Sequence, residues 1–595
     1  MNICHELQRR FAAGLAGLTD EPGKYSLLVK PAQDARHGDY QANCAMPLAK
    51  AQGKPPREVA QVLVDRLDRG DLLEPPEIAG AGFINLRLRT DWLAAQLQAM
   101  ARDDRLGVAP AAPPRTFVID FSSPNVAKPL HVGHLRSTII GDALARLLRF
   151  LGHTVVTDNH LGDWGLQFGI LLYGYKTFLD RQAFEADPVA ELARLYKKVN
   201  DQFKKKKKDE DEEDEEGGGD PVKDACRAET AKLHAGDPEN LALWQQFMPH
   251  CLEEIDGIYR RLDVRFDHTH GESFYQPMLC HVVRDLCEKA LAVESQGAFA
   301  IFFGEGEPPA LVQNSSGAFT YTTSDLATVR YRVETWKPDA VLYVVDSRQA
   351  LHFKNLFAAA RRWGYDRVAL EHVSFGSVLG PDGKPLKTRE GNATLLHELL
   401  DHAIAAAATV YERLRQEAVE RGVEVPTFTE QELQAIHQAV GVGAVKYADL
   451  SQNRTSDYKF DTAKMTATEG NTATYMQYAY ARNRSIIREG EVDETELRAN
   501  PPAPELGTPH ERGLALMLLR FGEALESAAA DYRPNLITAY LWDLAKAYSG
   551  FYQNCPVLKA PTPELRRGRL LLCDLTARVI GQGLELLGIR TIERM

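Results

Sequence analysis

The chain has 595 residues, 44% apolar and 26% charged, with a net charge of −12 at pH 7; it exceeds one ordinary core, which predicts two to four domains. The acidic balance argues against indiscriminate binding to polyanions while leaving room for local basic patches, and no stretch reaches the roughly 18 uncharged apolar residues of a membrane span. Eight scattered cysteines (4, 44, 226, 251, 280, 287, 555 and 573) lack CxxC pairing, and the charge-broken start lacks a signal-peptide core; neither zinc nor a disulfide framework is expected, and the cytoplasm is the default compartment.

Residues 1–112 mix helical and strand patterns and close on the proline-rich link "APAAPPR", which predicts an N-terminal α+β domain. "TFVIDF" then reads as a buried strand. It runs into "SSPNVAKPLHVGHLRSTIIGD", a polar cluster opening a helical pattern. At such a junction free backbone N–H groups and the helix dipole favour anions. His131 and His134 are three apart and share a face of the first turn, and Gly133 lets something flat approach the backbone. That suits a triphosphate with an adenine beside the glycine.

"HTVVTDNH", and later "AVLYVVD" before "SRQALHFKNLFAAARRWG", continue an alternation of strands and helices. The pattern predicts an α/β fold over 113–430, a doubly wound, Rossmann-like parallel sheet. Neither a Walker loop nor a GxGxxG fingerprint is present. An insertion at about 180–300 contains "FKKKKKDEDEEDEEGGGDP". Without apolar residues to bury, 204–219 reads as a disordered, solvated loop; an RNA-gripping patch at Lys204 to Lys208 is the alternative. "VLGPDGKPLKTREG" is a glycine- and proline-rich loop with Lys384 and Lys387 three apart. These lysines are point charges suited to β- and γ-phosphates, although an ordinary basic turn would look the same. Residues 431–595 are almost wholly helical, which predicts an all-α C-terminal domain.

Taken together, "HVGH" and "KPLKT" resemble the HIGH and KMSKS signatures of class I aminoacyl-tRNA synthetases. With "LGDWGLQFG", "YTTSDLA", "VVDSRQ", "VGAVKYADLSQNRTSDYKFD", "EGNTATYMQYAYAR" and "GLELLGIRTIERM", the chain resembles arginyl-tRNA synthetase of the bacterial type over nearly its whole length. The resemblance implies an arginine–tRNA ligase: L-arginine is activated with ATP to arginyl-adenylate, pyrophosphate leaves, and the arginyl group passes to the 3′ end of tRNA(Arg). It implies Mg2+ accompanying ATP, no zinc or organic cofactor, no membrane partner and a monomer.

By the same resemblance His131, Gly133, His134, Lys384 and Lys387 bind ATP and serve catalysis. Lys128 joins them, because a lysine at this place is thought to compensate in family members with a degenerate loop, and here Pro385 and Leu386 stand where the usual loop has Met and Ser. The arginine pocket would comprise Ser123, Pro124, Asn125, His134 and Gln349, mostly toward the backbone end of the amino acid. Tyr321 and Asp325 would meet the guanidinium, with Glu272 a second carboxylate. A planar, permanently charged group with five donors needs such acceptors. For tRNA, "GDYQAN" offers Tyr40 to stack on an unpaired base and Gln41 to read its edge; a turn with a buried tyrosine is the other reading. In the C-terminal domain Tyr475, Tyr478 and Arg482 would meet anticodon bases, although helical spacing sends some of these tyrosines to the core.

Overall fold

The computed structural model describes the chain except residues 1, 210–219, 305, 381, 385–393, 423–424 and 466; for 204–209 and 462–463 it describes the backbone alone. Two compact units result: Met1–Pro110 with Arg415–Val440 and Ala467–Met595, and Ala111–Leu414 with Gly441–Thr466. The N- and C-terminal parts form one unit, and residues 441–466 group with the α/β part.

The α/β unit is built on five parallel strands: β1 (Thr116–Asp120), β2 (Thr154–Leu161), β3 (His268–Gly271), β4 (Ala340–Tyr343) and β5 (Ala369–His372). Their spatial order is β3-β2-β1-β4-β5, all parallel. β1 is buried along four of its five residues and β4 along all four, as expected of a sheet covered on both faces. The order reverses between β1 and β4, and a sheet wound this way opens a crevice beyond the carboxyl ends of those two strands.

Between β2 and β3 lie the helices Leu166–Phe178, Arg181–Ala186, Pro188–Asp209, Pro221–His234 and Pro238–Leu262; a small antiparallel sheet of Val293–Ser295, Ala298–Ile301 and Ala310–Gln313 lies between β3 and β4. The charged stretch starts later than its composition suggests. The helix Pro188–Asp209 buries Leu192, Leu195 and Val199 and carries its backbone over Lys204–Lys208 to Asp209. Lysine is a good helix former, and an established helix extends at little cost. The rest of the expected loop, 210–219, lies outside the described residues.

In the other unit an antiparallel sheet orders Val29–Pro31, Tyr40–Ala42, Phe83–Leu86 and Glu77–Ala79. C-terminal helices close on this N-terminal part through arginines. Arg512 donates to the Asp39 carboxylate at 2.5 Å, and Arg578 donates to the carbonyls of Ala101 and Asp103 at 2.8 Å each.

Candidate active site

β1 ends in an unusual turn. Ser122 and Ser123 have φ of 71° and 46°, left-handed values that non-glycine residues adopt reluctantly and that cluster at functional sites. Hydrogen bonds hold the turn: the Ser122 N–H donates to Ser137 Oγ at 2.8 Å, and the Ser123 N–H to Asn159 Oδ1 at 3.1 Å. Ser123 Oγ donates to Asp120 at 2.8 Å, so its lone pairs remain to accept from a ligand. Pro124 is buried, and its carbonyl accepts from the Gly162 N–H at 3.0 Å. Asn125 bridges to Gly162, where a Cβ would meet Asn125 Oδ1 at 2.5 Å and push that side chain aside.

The helix Val132–Phe150 begins one residue after His131, which is its N-cap. His131 Nδ1 accepts from the Gly133 N–H at 3.1 Å, and His134 Nδ1 accepts from the His131 N–H at 3.2 Å, a capping box with histidine in both roles. The rings lie 4.0 Å apart. Burial, and then the charge of Lys128, lowers the His131 pKa; burial and the neighbouring His131 bring His134 to about 3. Both rings are therefore neutral near pH 7. Because both Nδ1 atoms accept, the proton of each ring is assigned to Nε2, which is left free to donate. Gly133 also serves the cap: a Cβ there would come within 2.8 Å of the His131 ring. Lys128 is half-buried, with Nζ 5.7 Å from the centre of the Tyr196 ring.

The carboxylates gather on neighbouring elements. Glu272 opens a short helix directly after β3, and its pKa is raised to about 7, by burial first and then by the charges of Asp163 and Asp325. Asp163, 3% exposed, anchors that helix by accepting from the Ser273 N–H at 2.9 Å and from Ser273 Oγ at 2.5 Å. Tyr321 and Asp325 occupy the first two turns of the helix Tyr321–Trp336. Tyr321 is 68% exposed, and its phenol is pushed up by burial and by Glu272. His352 Nε2 lies 2.6 Å from Asp325 Oδ2. Gln349, exposed, closes the turn Ser347–Gln349 after β4.

Two buried arginines, unassigned by sequence reasoning, tie these parts together. Arg332, two helical turns after Asp325 and fully buried, pairs with Asp120 at 2.8 Å and Asp158 at 2.9 Å. It thereby links the helix bearing Tyr321 and Asp325 to the end of β1 and the middle of β2 and, through Asp120, to Ser123. Arg136, 1% exposed, pairs with Asp449 at 3.1 Å and donates to the carbonyls of Gly376 and Ser456 at 2.8 and 3.0 Å. Gly376 precedes Val378–Leu379, a strand paired in parallel with Tyr458–Lys459. Beyond the lysine loop, the Val132 N–H donates to the Thr394 carbonyl at 3.0 Å and the Leu396 N–H to the Leu130 carbonyl at 2.8 Å. Both ends of the loop are thus fastened to the histidine motif or its helix. Lys384 is exposed on this loop; Lys387 lies outside the described residues. A lone arginine on an otherwise apolar helix face, as in "HLRSTIIGDALA", was the signal available for Arg136.

Of the residues expected to meet tRNA, Tyr40 is corrected. It is 0% exposed, donates to Glu523 at 2.7 Å and lies under Arg520, so no base can stack on it. The C-terminal helices take the ring face that an isolated reading leaves open. Gln41, half-buried, donates to Asn85 at 2.8 Å. Tyr475 packs edge-on to Trp542. Tyr478 is 43% exposed, and Arg482 lies over both its ring and that of Tyr552.

Comparison with known proteins identifies the family. The class I tRNA synthetase (R) catalytic domain matches residues 96–462, the DALR anticodon binding domain 476–595, and the arginyl tRNA synthetase N terminal domain 5–88. The arginine–tRNA ligase of Rhodopirellula baltica is 45% identical over all of both chains, and that of Azotobacter vinelandii is 45% identical over 98% of this chain and 96% of its own. Arginyl-tRNA synthetase structures from Plasmodium falciparum (27% identity, TM-score 0.81, 100% of this chain and 99% of that one) and Thermus thermophilus (25%, 0.79, 100% of both) share the fold. The chain belongs to the arginyl-tRNA synthetases, ligases that join arginine to tRNA at the expense of ATP.

Proposed function

We propose that arginine and MgATP react in the crevice beyond β1 and β4, with the guanidinium held by Asp325, Glu272 and Tyr321 and the α-amino and carboxylate end met by Ser123, Asn125, His134 and Gln349. The observation that carries this reading is the convergence of carboxylates: Glu272 feels the charge of Asp325, and Tyr321 that of Glu272, although they sit on separate elements. A guanidinium relieves that repulsion and adds donors for the carboxylate oxygens that His352 and the backbone leave free. Pro124, buried between Ser123 and Asn125, shapes the turn.

On the phosphate side His131 and His134 offer neutral Nε2–H donors beside the helix N-terminus, and Lys128, Lys384 and Lys387 supply positive charge. The arginine carboxylate oxygen attacks the α-phosphorus in line; the bond to the bridging oxygen breaks and pyrophosphate leaves. A hydroxyl of the terminal adenosine of tRNA then attacks the adenylate carbonyl, releasing AMP. No side chain acts as a nucleophile; the barrier falls through positioning and charge stabilisation. Mg2+ enters with ATP as substrate, its ligands largely phosphate and water.

Tyr475, Tyr478 and Arg482 are assigned to the anticodon, with Tyr478, Arg482 and Tyr552 the accessible stack; Gln41 is assigned to the tRNA body. The active unit in this reading is a monomer. Eight free cysteines fit a reducing compartment, and we place the enzyme in the cytoplasm. The reading includes a requirement for tRNA in arginine activation, because the tRNA end completes the site by induced fit. Arginine-dependent ATP–pyrophosphate exchange tests it: exchange with tRNA and none without is expected, and full exchange without tRNA removes the requirement.

A further inference from the structure

His352 is not among the residues assigned above, yet it makes the shortest described contact of Asp325, with Nε2 2.6 Å from Oδ2. It sits at the third position of the helix Ala350–Trp363, and its ring packs edge-on against Phe353. Both partners are about one-third exposed, 32% and 27%, so each can reach a ligand or solvent without unfolding the site. The geometry leaves Asp325 Oδ1 to a second donor.

Resting on the arginine pocket proposed above, we infer that His352 is a positioning and selecting residue: it holds one oxygen of Asp325 and carries a proton that the incoming guanidinium drives off. Asp325 can neutralise one cation well. A guanidinium arriving beside an imidazolium meets a carboxylate already paired and a like charge next to it. Loss of the Nδ1 proton to the buffer resolves the conflict. The neutral ring keeps Nε2–H on Oδ2, and the guanidinium takes Oδ1. The balance is one protonated histidine and one arginine cation in, one neutral histidine and one bound arginine cation out, with one proton to solvent.

The charged and titratable groups facing the pair favour a protonated His352. The hydrogen bond and charge of Asp325 raise its pKa above the ordinary value, against burial. Glu272, on the short helix after β3, and Tyr343, on β4, both feel the Asp325 charge, while Tyr321 lies one turn before Asp325. Glu272 is a second source of protons, since its pKa of about 7 must fall when a guanidinium binds. Arginine binding is thus coupled to two groups, and the share of His352 can be separated.

The experiment is calorimetric titration of the full-length enzyme with L-arginine, without ATP, between pH 5.5 and 8.5 in buffers of different ionisation enthalpy. In the unaltered enzyme, affinity should fall by about a hundredfold per pH unit on the acid side, one factor of ten for each coupled proton. In His352→Gln, whose amide still donates to Asp325, the fall should be about tenfold per unit, with up to about one proton fewer released per arginine. The proton count is read at saturation, so a weaker variant remains informative, and the slope of the unaltered enzyme needs no variant. A slope of one proton or less in the unaltered enzyme, or equal proton release by His352→Gln, overturns the inference. Absence of arginine binding at any pH instead overturns the pocket assignment on which it rests.

Discussion

On the side of the crevice proposed to hold arginine, Glu272, Asp325 and His352 form a cluster whose charge is poised near neutrality. On the side proposed for the phosphates, His131 and His134 are held neutral, first by burial and then by Lys128 for His131 and by His131 for His134, with the permanent charge left to lysines. The difference follows the ligands. A guanidinium is always charged, so selectivity is gained by carboxylates that are uncomfortable until it arrives. Phosphate charge shifts during the reaction, so fixed neutral donors need not reorganise, and an exposed lysine such as Lys384 can follow the departing pyrophosphate.

The largest expected effect falls on the arginine side. Asp325→Ala should reduce kcat/KM for arginine by the equivalent of about 3–5 kcal/mol, the scale for leaving a buried charge unpaired. Asp325→Asn should also be severe, because it keeps the shape and removes the charge. Near-normal kcat/KM for either variant would dissolve the division drawn here.

Next is Lys128→Ala on the phosphate side. It should lower kcat for adenylate formation by roughly 10²–10³, or about 2.7–4 kcal/mol, with little change in KM for arginine. Lys387→Ala should be milder. Single-turnover formation of adenylate with saturating tRNA decides between them; a collapsed rate for Lys387→Ala beside an unchanged Lys128→Ala returns the catalytic charge to the loop.

The pH response should divide the two sides more finely. Glu272 is a carboxylate with a raised pKa, charged above about 7 and protonated below it. Arginine affinity should therefore be full above that value and lost as pH falls, about tenfold per unit on its account. Glu272→Gln should remove that component. His134, near 3, stays neutral between pH 5 and 9, so adenylate formation at saturating arginine should show no limb from it. A limb near 6.5 that disappears in His134→Gln would contradict the neutral assignment.

The smallest effect should be that of Tyr321→Phe. Its ring is mostly exposed, so the lost hydroxyl should cost about 0.5–1.5 kcal/mol in kcat/KM for arginine. A loss as large as that of Asp325→Ala would mean that Tyr321 is enclosed when arginine binds.

Local pattern carried a large part of this protein. The strand "TFVIDF", the helix after it and the alternation that follows were legible because buried parallel strands and helices have different periods. Tyr321 and Asp325 are four apart in the sequence, a spacing that fits one helical face, and the helix Tyr321–Trp336 carries both. What the spacing could not convey was the state of the groups. Only the tertiary structure turned His131 and His134 into reciprocal caps, set His352 against Asp325 across 27 positions, and joined Arg332 to Asp120 and Asp158. Tyr40 shows the same limit from the other direction. Its motif fits a base-stacking platform, but helices almost 500 residues later bury the ring and take its hydroxyl. Periodicity and motif report which residues share a face; protonation, pairing and access depend on what the rest of the chain brings to that face, because desolvation and charge act through space rather than along the sequence.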